Sequence, residues 1–263
     1  MYSSFYWFSV DKGTKNTEHF LYSRKTDLYM DLLQRNHQLL LKGINCTFLR
    51  YLHARIEWED RLIGIFGSRG VGKTTLLLQH IKLKFEDSRE ALYVNLDDFW
   101  FETHSLTDAV KEFLQAGGHY LFLDEIHFYS SWMEEVSTLL DANPALKIVF
   151  ATTSLYSQTE VRNGLRHEAA FYTMHPMSFR EFLSYESILD KDPIPLEDIL
   201  ANHHDLVKEI NAEMNIVPIY RNYLEHGCYP FYWQDPDMYY FRLQELVRKE
   251  ICGICFGGFY FDE

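Results

Sequence analysis

The ten residues FGSRGVGKTT, from Phe66 to Thr75, hold three glycines, one lysine and two threonines directly after the apolar segment RLIGI. Read as Gly67-x-x-x-x-Gly72-Lys73-Thr74, they have the spacing of a loop built for a phosphate-bearing ligand. Glycines let the backbone turn tightly, so that successive N–H groups point inward at an anion. A helix opening at Lys73 adds the positive end of its dipole. Lys73 can meet the β- and γ-phosphates as a point charge, and the Thr74 hydroxyl can ligate Mg²⁺. Gly67, Ser68, Arg69, Gly70, Val71, Gly72, Lys73, Thr74 and Thr75 are therefore the candidate nucleotide cradle.

A triphosphate with its metal also calls for a carboxylate. The run His119-Tyr-Leu-Phe-Leu-Asp124-Glu125 supplies two in a row. Tyr120 to Leu123 is continuously apolar, as expected of a parallel strand covered on both faces. Asp124 then falls at the carboxyl end of that strand, where ligands bind in open α/β sheets. Thr74 and Asp124 are the candidate metal-holding pair. Glu125, beside them, is placed to orient and polarise an attacking water.

The elements that must position these groups follow from apolar pattern. Leu62 to Phe66 reads as a short buried strand. Leu77, Ile81 and Phe85 recur at i, i+4 and i+8 after the loop, with Lys82 and Lys84 off that face. Ala91 to Asn95 reads as a strand, Leu106 to Leu114 as a helix, and Ser131 to Leu140 as another helix ended by the Asn143-Pro144 turn. Leu146 to Phe150 reads as a strand running into Ala151-Thr152-Thr153-Ser154. A polar residue there can touch the γ-phosphate or the lytic water, and Thr152 and Thr153 serve equally well. A threonine capping the next helix fits the same residues. Ala169 to Met174 is the fifth strand, and Ser178-Phe-Arg-Glu181 has capping-box spacing. The alternation predicts an α/β fold, a doubly wound parallel sheet of about five strands forming a P-loop NTPase core.

Composition bounds the rest. The chain has 263 residues, of which 47% are apolar and 16% aromatic, enough for a sizeable core. A net charge of −13 argues against a chain that merely coats nucleic acid, without excluding a local basic patch. No apolar run approaches the roughly 18 residues that would suggest a membrane span. The start, MYSSFYWFSVDKG, lacks a basic leader, and four cysteines fit a reducing compartment, so a cytoplasmic protein is expected. Residues 1–58 read as a helical N-terminal extension, with Leu28, Leu32, Leu33 and Leu39 to Leu41 as its apolar positions. Residues 59–186 read as the phosphate-loop core, and 187–263 as a helical C-terminal segment. Acidic residues far outnumber Lys191 and Lys208 between 186 and 213, as on a solvated helical surface. The aromatic-rich stretch after Ile216 fits core packing by default, or an exposed docking surface. Cys252-Gly-Ile-Cys255 is a lone pair, and zinc would need two more ligands at suitable spacing.

The chain resembles a widespread group of bacterial and archaeal AAA+-like ATPases, in which an ATPase core, a helical lid and a nuclease-like C-terminal domain follow one another. The segments that carry the likeness are FGSRGVGKTTLL (66–77), YLFLDEIHFYSSW (120–132), LKIVFATTS (146–154), LRHEAAFYTMHPMSFREFL (165–183) and YLEHGCYPFY (223–232), within roughly residues 28–250. The resemblance implies that Lys73 and Thr74 bind ATP and Mg²⁺, that Asp124 holds the metal, and that Glu125 is the catalytic base. It also implies a γ-phosphate contact for Arg166, in cis or from a neighbouring subunit. Two features depart from the pattern. Thr152-Thr153-Ser154 stands where many relatives have Gly-Ser-Ser, and the sequence stops at Glu263, where relatives continue into the nuclease-like domain. The partners so implied are ATP, a homo-oligomer, and an unknown protein or a separate nuclease-like domain. Nucleic acid is left open and a membrane is not expected. Two readings from different classes follow: an ATP-hydrolysing enzyme, or a nucleotide-gated switch with little hydrolysis. A phosphate-loop kinase is a weaker third.

Overall fold

The computed structural model describes residues 15–85, 89–153, 158–189 and 191–257. Five short apolar runs form strands: β1 (Leu62–Phe66), β2 (Ala91–Asn95), β3 (Tyr120–Asp124), β4 (Lys147–Thr152) and β5 (Ala170–Thr173). All pair in parallel, in the order β2-β3-β4-β1-β5. Every residue of β1 is buried, as a strand covered on both faces requires. The helices that cover it are α1 (Lys15–Gly43), α2 (Tyr51–Arg55), α3 (Lys73–Phe85), α4 (Leu106–Gln115), α5 (Trp132–Ala142) and α6 (Gln158–Gly164). The sheet is thus sandwiched between helical layers, the α/β architecture expected from the alternation of elements.

The two-residue period of the strands decides which side chain meets which helix. Leu121 and Leu123 join one apolar cluster with α4 and α5, while Phe122 joins the other with Leu76, Leu77 and Ile81 of α3. Asp124 lies two residues beyond Phe122. It therefore faces α3, at the end where that helix begins. β4 runs between β1 and β3, with Thr152 paired to Phe66, the last residue before the loop.

The strand β2 lies at the edge of the sheet, and α1 covers it. Tyr29, Met30 and Leu33 share a cluster with Leu92 and Val94, so the N-terminal helix contributes to the core of the sheet. The Tyr93 N–H donates to His37 Nδ1 at 3.1 Å, satisfying an edge amide that would otherwise be exposed for pairing. Burial lowers the His37 pKa from 6.5 to about 4. Between those values the unfolded chain binds a proton that the folded chain refuses. Stability is therefore fully present above pH 6.5 and falls as pH drops toward 4, by roughly 3 kcal/mol for this group alone. His80, lowered to about 3 by burial and then by His53 and Lys84, acts with the same sign. Urea unfolding should show His37→Gln losing less stability than wild type between pH 7 and 4.5. Equal losses would remove His37 from the acid response.

The C-terminal third is helical: α7 (Phe179–Tyr185), α8 (Leu196–Glu213), α9 (Ile216–Asn222), a π-helical turn at Tyr223–Gly227, a 3-10 turn at Pro230–Gln234, and α10 (Tyr239–Gly257). Ser178 and Glu181 form the expected capping box at the start of α7. No residue of α8 is buried, as its acidic sequence predicts. The aromatic stretch packs on α7. Tyr223 meets Phe182, Trp233 meets Tyr185, and Tyr220 meets Phe179, with ring centroids 5.6, 4.2 and 5.1 Å apart. Tyr240 and Phe241 remain exposed, so the segment is neither wholly core nor wholly surface. The side chains of Cys252 and Cys255 lie outside the described residues, as do Ser154 and residues 1–14. Among the described residues no helix is long and apolar enough to cross a membrane, and no cluster of three His, Cys, Asp or Glu side chains could hold a metal by itself.

Candidate functional site

The glycine-rich loop leaves the carboxyl end of β1 and enters α3 at Lys73. Gly67 is held against the strand ends: its N–H donates to the Thr152 carbonyl at 3.3 Å, and a Cβ on it would lie 2.4 Å from the Met174 carbonyl oxygen. Only glycine fits that approach. Gly72 has φ +101°, in the left-handed region that disfavours side chains. The Lys73 ammonium donates to the carbonyls of Gly67 at 2.7 Å and Ser68 at 3.0 Å, so it spans the mouth of the loop. A cavity of about 210 Å³ opens here, lined by Gly70, Gly72, Lys73, Thr74 and Thr75 on one side and Glu125 on another. Pro230, Phe231 and Gln234, from the C-terminal 3-10 turn, complete its wall.

Asp124 lies behind Thr74, 1% exposed. Its Oδ2 accepts from the Thr74 hydroxyl at 2.5 Å and from the Tyr93 hydroxyl at 2.9 Å. Its Oδ1 accepts from the Glu125 N–H at 2.9 Å. Burial, reinforced by the Asp124 charge, raises the Tyr93 pKa far above the ordinary phenol value, so this phenol stays a neutral donor. The hydroxyl and carboxylate that a magnesium ion needs are thus already side by side, and the residues present fit such an ion.

Glu125 holds φ 53° and ψ 38°, a left-handed conformation in a non-glycine residue. Such a conformation costs about 1–3 kcal/mol and persists where surrounding structure dictates it. Its Oε2 is buried with no hydrogen-bond partner among the described residues. Burial raises the Glu125 pKa, Asp124 adds to the rise, and Lys73 and Arg69 oppose it. His127 Nε2 is 3.4 Å from Oε2, close enough to suggest an ion pair. The Arg69 guanidinium rules that out, because it lies 2.9 Å from the same Nε2 and can only donate. Nε2 is therefore an acceptor and His127 is neutral. Burial, with Arg69 and then Lys73, lowers its pKa to about 4. Glu125 thus lines the cavity beside the glycine-rich loop, while its Oε2 stays buried beside a neutral imidazole that gives it no proton.

Of the two threonines at the end of β4, Thr152 lies within the strand and Thr153 follows it. The strand runs two residues past the expected end at Phe150, because Ala151 and Thr152 pair with Ile65 and Phe66. Both threonine hydroxyls are fully buried without hydrogen-bond partners among the described residues. Arg166 is not brought to this site. It bonds Thr138 at 3.2 Å and Asp141 at 3.0 Å, on the C-terminal half of α5. It precedes β5, so it lies at the amino ends of the strands, opposite the phosphate loop. A contact from Arg166 to a γ-phosphate in its own chain is therefore corrected by the parallel topology.

Some members of the site were not read from sequence. Tyr93 sits on the same face of the sheet as Asp124, since it pairs with Phe122, a position that only strand register reveals. The Arg69–His127 contact joins two loops across the site. Pro230, Phe231 and Gln234 arrive from a distant segment, whose Gly-Cys-Tyr-Pro turn was the one signal available.

No curated protein sequence matches the chain. Three solved structures show low similarity. The AMPPCP-bound DnaA from Aquifex aeolicus is 18% identical over 57% of this chain and 53% of that one, with a TM-score of 0.34. PCH-2 from C. elegans is 13% identical over 65% and 50%, at 0.32. RIF2 from Saccharomyces cerevisiae is 13% identical over 78% and 85%, at 0.41. The match spans about half the length of the first two. Residues 59–183, the stretch that carries the loop, the carboxylate pair and all five strands, match the family model of an AAA domain.

Proposed function

We propose that the chain binds ATP with Mg²⁺ and hydrolyses it, and that turnover moves the helical segment after residue 186 relative to the sheet. The observation that carries this reading is the Thr74–Asp124 contact of 2.5 Å beside Glu125, whose buried Oε2 has no partner among the described residues. Lys73 and the loop amides would hold the phosphates, and Thr74 with Asp124 would hold the metal. When bound, Mg²⁺ would neutralise phosphate charge and polarise the phosphoryl group. Glu125 would accept the proton of the attacking water, a task suited to a carboxylate whose pKa is raised by burial. Thr152, whose backbone carbonyl accepts from the Gly67 N–H, and Thr153 after it would offer hydroxyls for the water or the γ-phosphate. Arg166 would serve only across a subunit boundary, in a homo-oligomer. The division into an extension (1–58), a core (59–186) and a lid segment (187–263) belongs to this proposal, as does a cytoplasmic setting. A separate nuclease-like partner rests on the family resemblance alone.

A second reading is a nucleotide-gated switch with slow hydrolysis. It is favoured by the cavity wall itself, because Pro230, Phe231 and Gln234 place the C-terminal segment within reach of any bound nucleotide. Calorimetry tests the part common to both readings. ATP should bind more tightly with Mg²⁺ than in a chelator, and more tightly than AMP. AMP binding as tight as ATP would contradict a site built around a phosphate tail.

A further inference from the structure

Arg50 belongs to neither the loop nor the carboxylate pair, yet it bonds the loop directly. It caps α2 and is 8% exposed. Its Nη1 donates to the Val71 carbonyl at 2.7 Å. Its Nη2 donates to the His175 carbonyl at 2.8 Å, and its Nε to Glu181 Oε1 at 2.8 Å. Glu181 is itself fixed, accepting from the Tyr51 N–H at 3.0 Å and from the N–H and hydroxyl of Ser178 at 2.9 Å each. The paired Arg50 charge lowers the Glu181 pKa against the opposing effect of burial.

The bond to Val71 has a stereochemical consequence. The described residues contain no cis peptide, and in a trans peptide the C=O and the following N–H point in opposite directions. Capture of the Val71 carbonyl therefore turns the Gly72 N–H away from Arg50, and Gly72 lines the cavity. Gly72, at φ +101°, has a glycine's freedom to turn that peptide the other way. We infer that Arg50 is a positioning residue for phosphate binding: it locks the Val71–Gly72 peptide so that the loop presents its N–H to the anion before the anion arrives.

The same guanidinium joins that peptide to the segment that leads to the lid. His175 and Glu181 flank Met177, whose N–H donates to the Cys228 carbonyl at 2.8 Å and whose carbonyl accepts from the Tyr223 hydroxyl at 2.9 Å. Phe231, three residues past Cys228, lines the phosphate cavity. Arg50 is thus the shared anchor of the loop and of the segment that walls it. Arginine is needed because its planar fork spreads its donors over Nε, Nη1 and Nη2 to reach three acceptors in different directions, whereas a lysine presents all its donors from one compact ammonium.

This inference rests on the phosphate-loop reading, and its test separates the two. Binding of MgATP, MgADP and adenosine is measured by calorimetry for wild type, Arg50→Lys, and the double variant Arg50→Met/Glu181→Met, with thermal unfolding recorded for each. The double variant leaves no buried charge unpaired, so it keeps the test open if Arg50→Lys folds poorly. Both variants should bind MgATP and MgADP about tenfold more weakly, with adenosine binding unchanged. Unchanged MgATP binding in a folded variant would overturn the role of Arg50, as would an equal loss for adenosine. A wild-type chain that binds ATP no better than adenosine would remove the phosphate-loop reading and this inference with it.

Discussion

Glu125→Gln should lower the rate of ATP turnover by roughly 10²-fold or more, the scale of a lost general base. The substitution keeps the shape of the side chain and removes its basicity. Asp124 keeps all three of its donors, from Thr74, Tyr93 and the backbone N–H of residue 125, so its place behind Thr74 should be unchanged. ATP affinity should stay within a few-fold, or rise slightly because a negative charge has left the neighbourhood of the γ-phosphate. The wild-type carboxylate is buried beside Asp124, which raises its pKa, while His127 stays neutral and contributes no countercharge. A turnover rate equal to wild type would take Glu125 out of the chemistry. If wild type is itself no faster than the variant, the switch reading gains what the enzyme reading loses.

Lys73→Ala should weaken ATP binding at least tenfold, about 1.4 kcal/mol or more. The ammonium bridges the Gly67 and Ser68 carbonyls, so the variant loses both a phosphate ligand and a brace across the loop mouth. Arg69 lies in the same loop but is directed to His127, 2.9 Å away, and so is poorly placed to substitute. Calorimetry giving the same affinity for both proteins would contradict the assignment of the loop.

The parts of this site that are contiguous in the chain were legible in its sequence. A strand, a glycine loop and a helix follow one another within residues 62–85, so spacing alone exposes the cradle. Asp124 and Glu125 were legible because an apolar strand points to its own carboxyl end. The network around Arg50 was not, because Arg50 and Glu181 are 131 positions apart and nothing local marks their approach. Tyr93 was hidden for the same reason, since its contact with Asp124 depends on the pairing of β2 with β3. Arg166 was misplaced in its own chain by proximity to β5 in sequence. In a parallel sheet, residues that enter a strand lie at the end opposite those that leave it. The N-terminal helix was legible as a helix, but its part in covering β2 required the fold, because that cover joins residues as separate in sequence as Met30 and Leu92, or the His37 ring and the Tyr93 backbone N–H.

The most direct test of ATP hydrolysis at this site is release of inorganic phosphate from ATP by the wild-type chain, followed in Mg²⁺ and in excess chelator. Steady release that depends on Mg²⁺ is expected, with the chelated sample at background. Release that is equal with and without Mg²⁺, or no release from a chain shown to bind MgATP, would contradict the claim that Thr74, Asp124 and Glu125 form a metal-dependent hydrolytic centre.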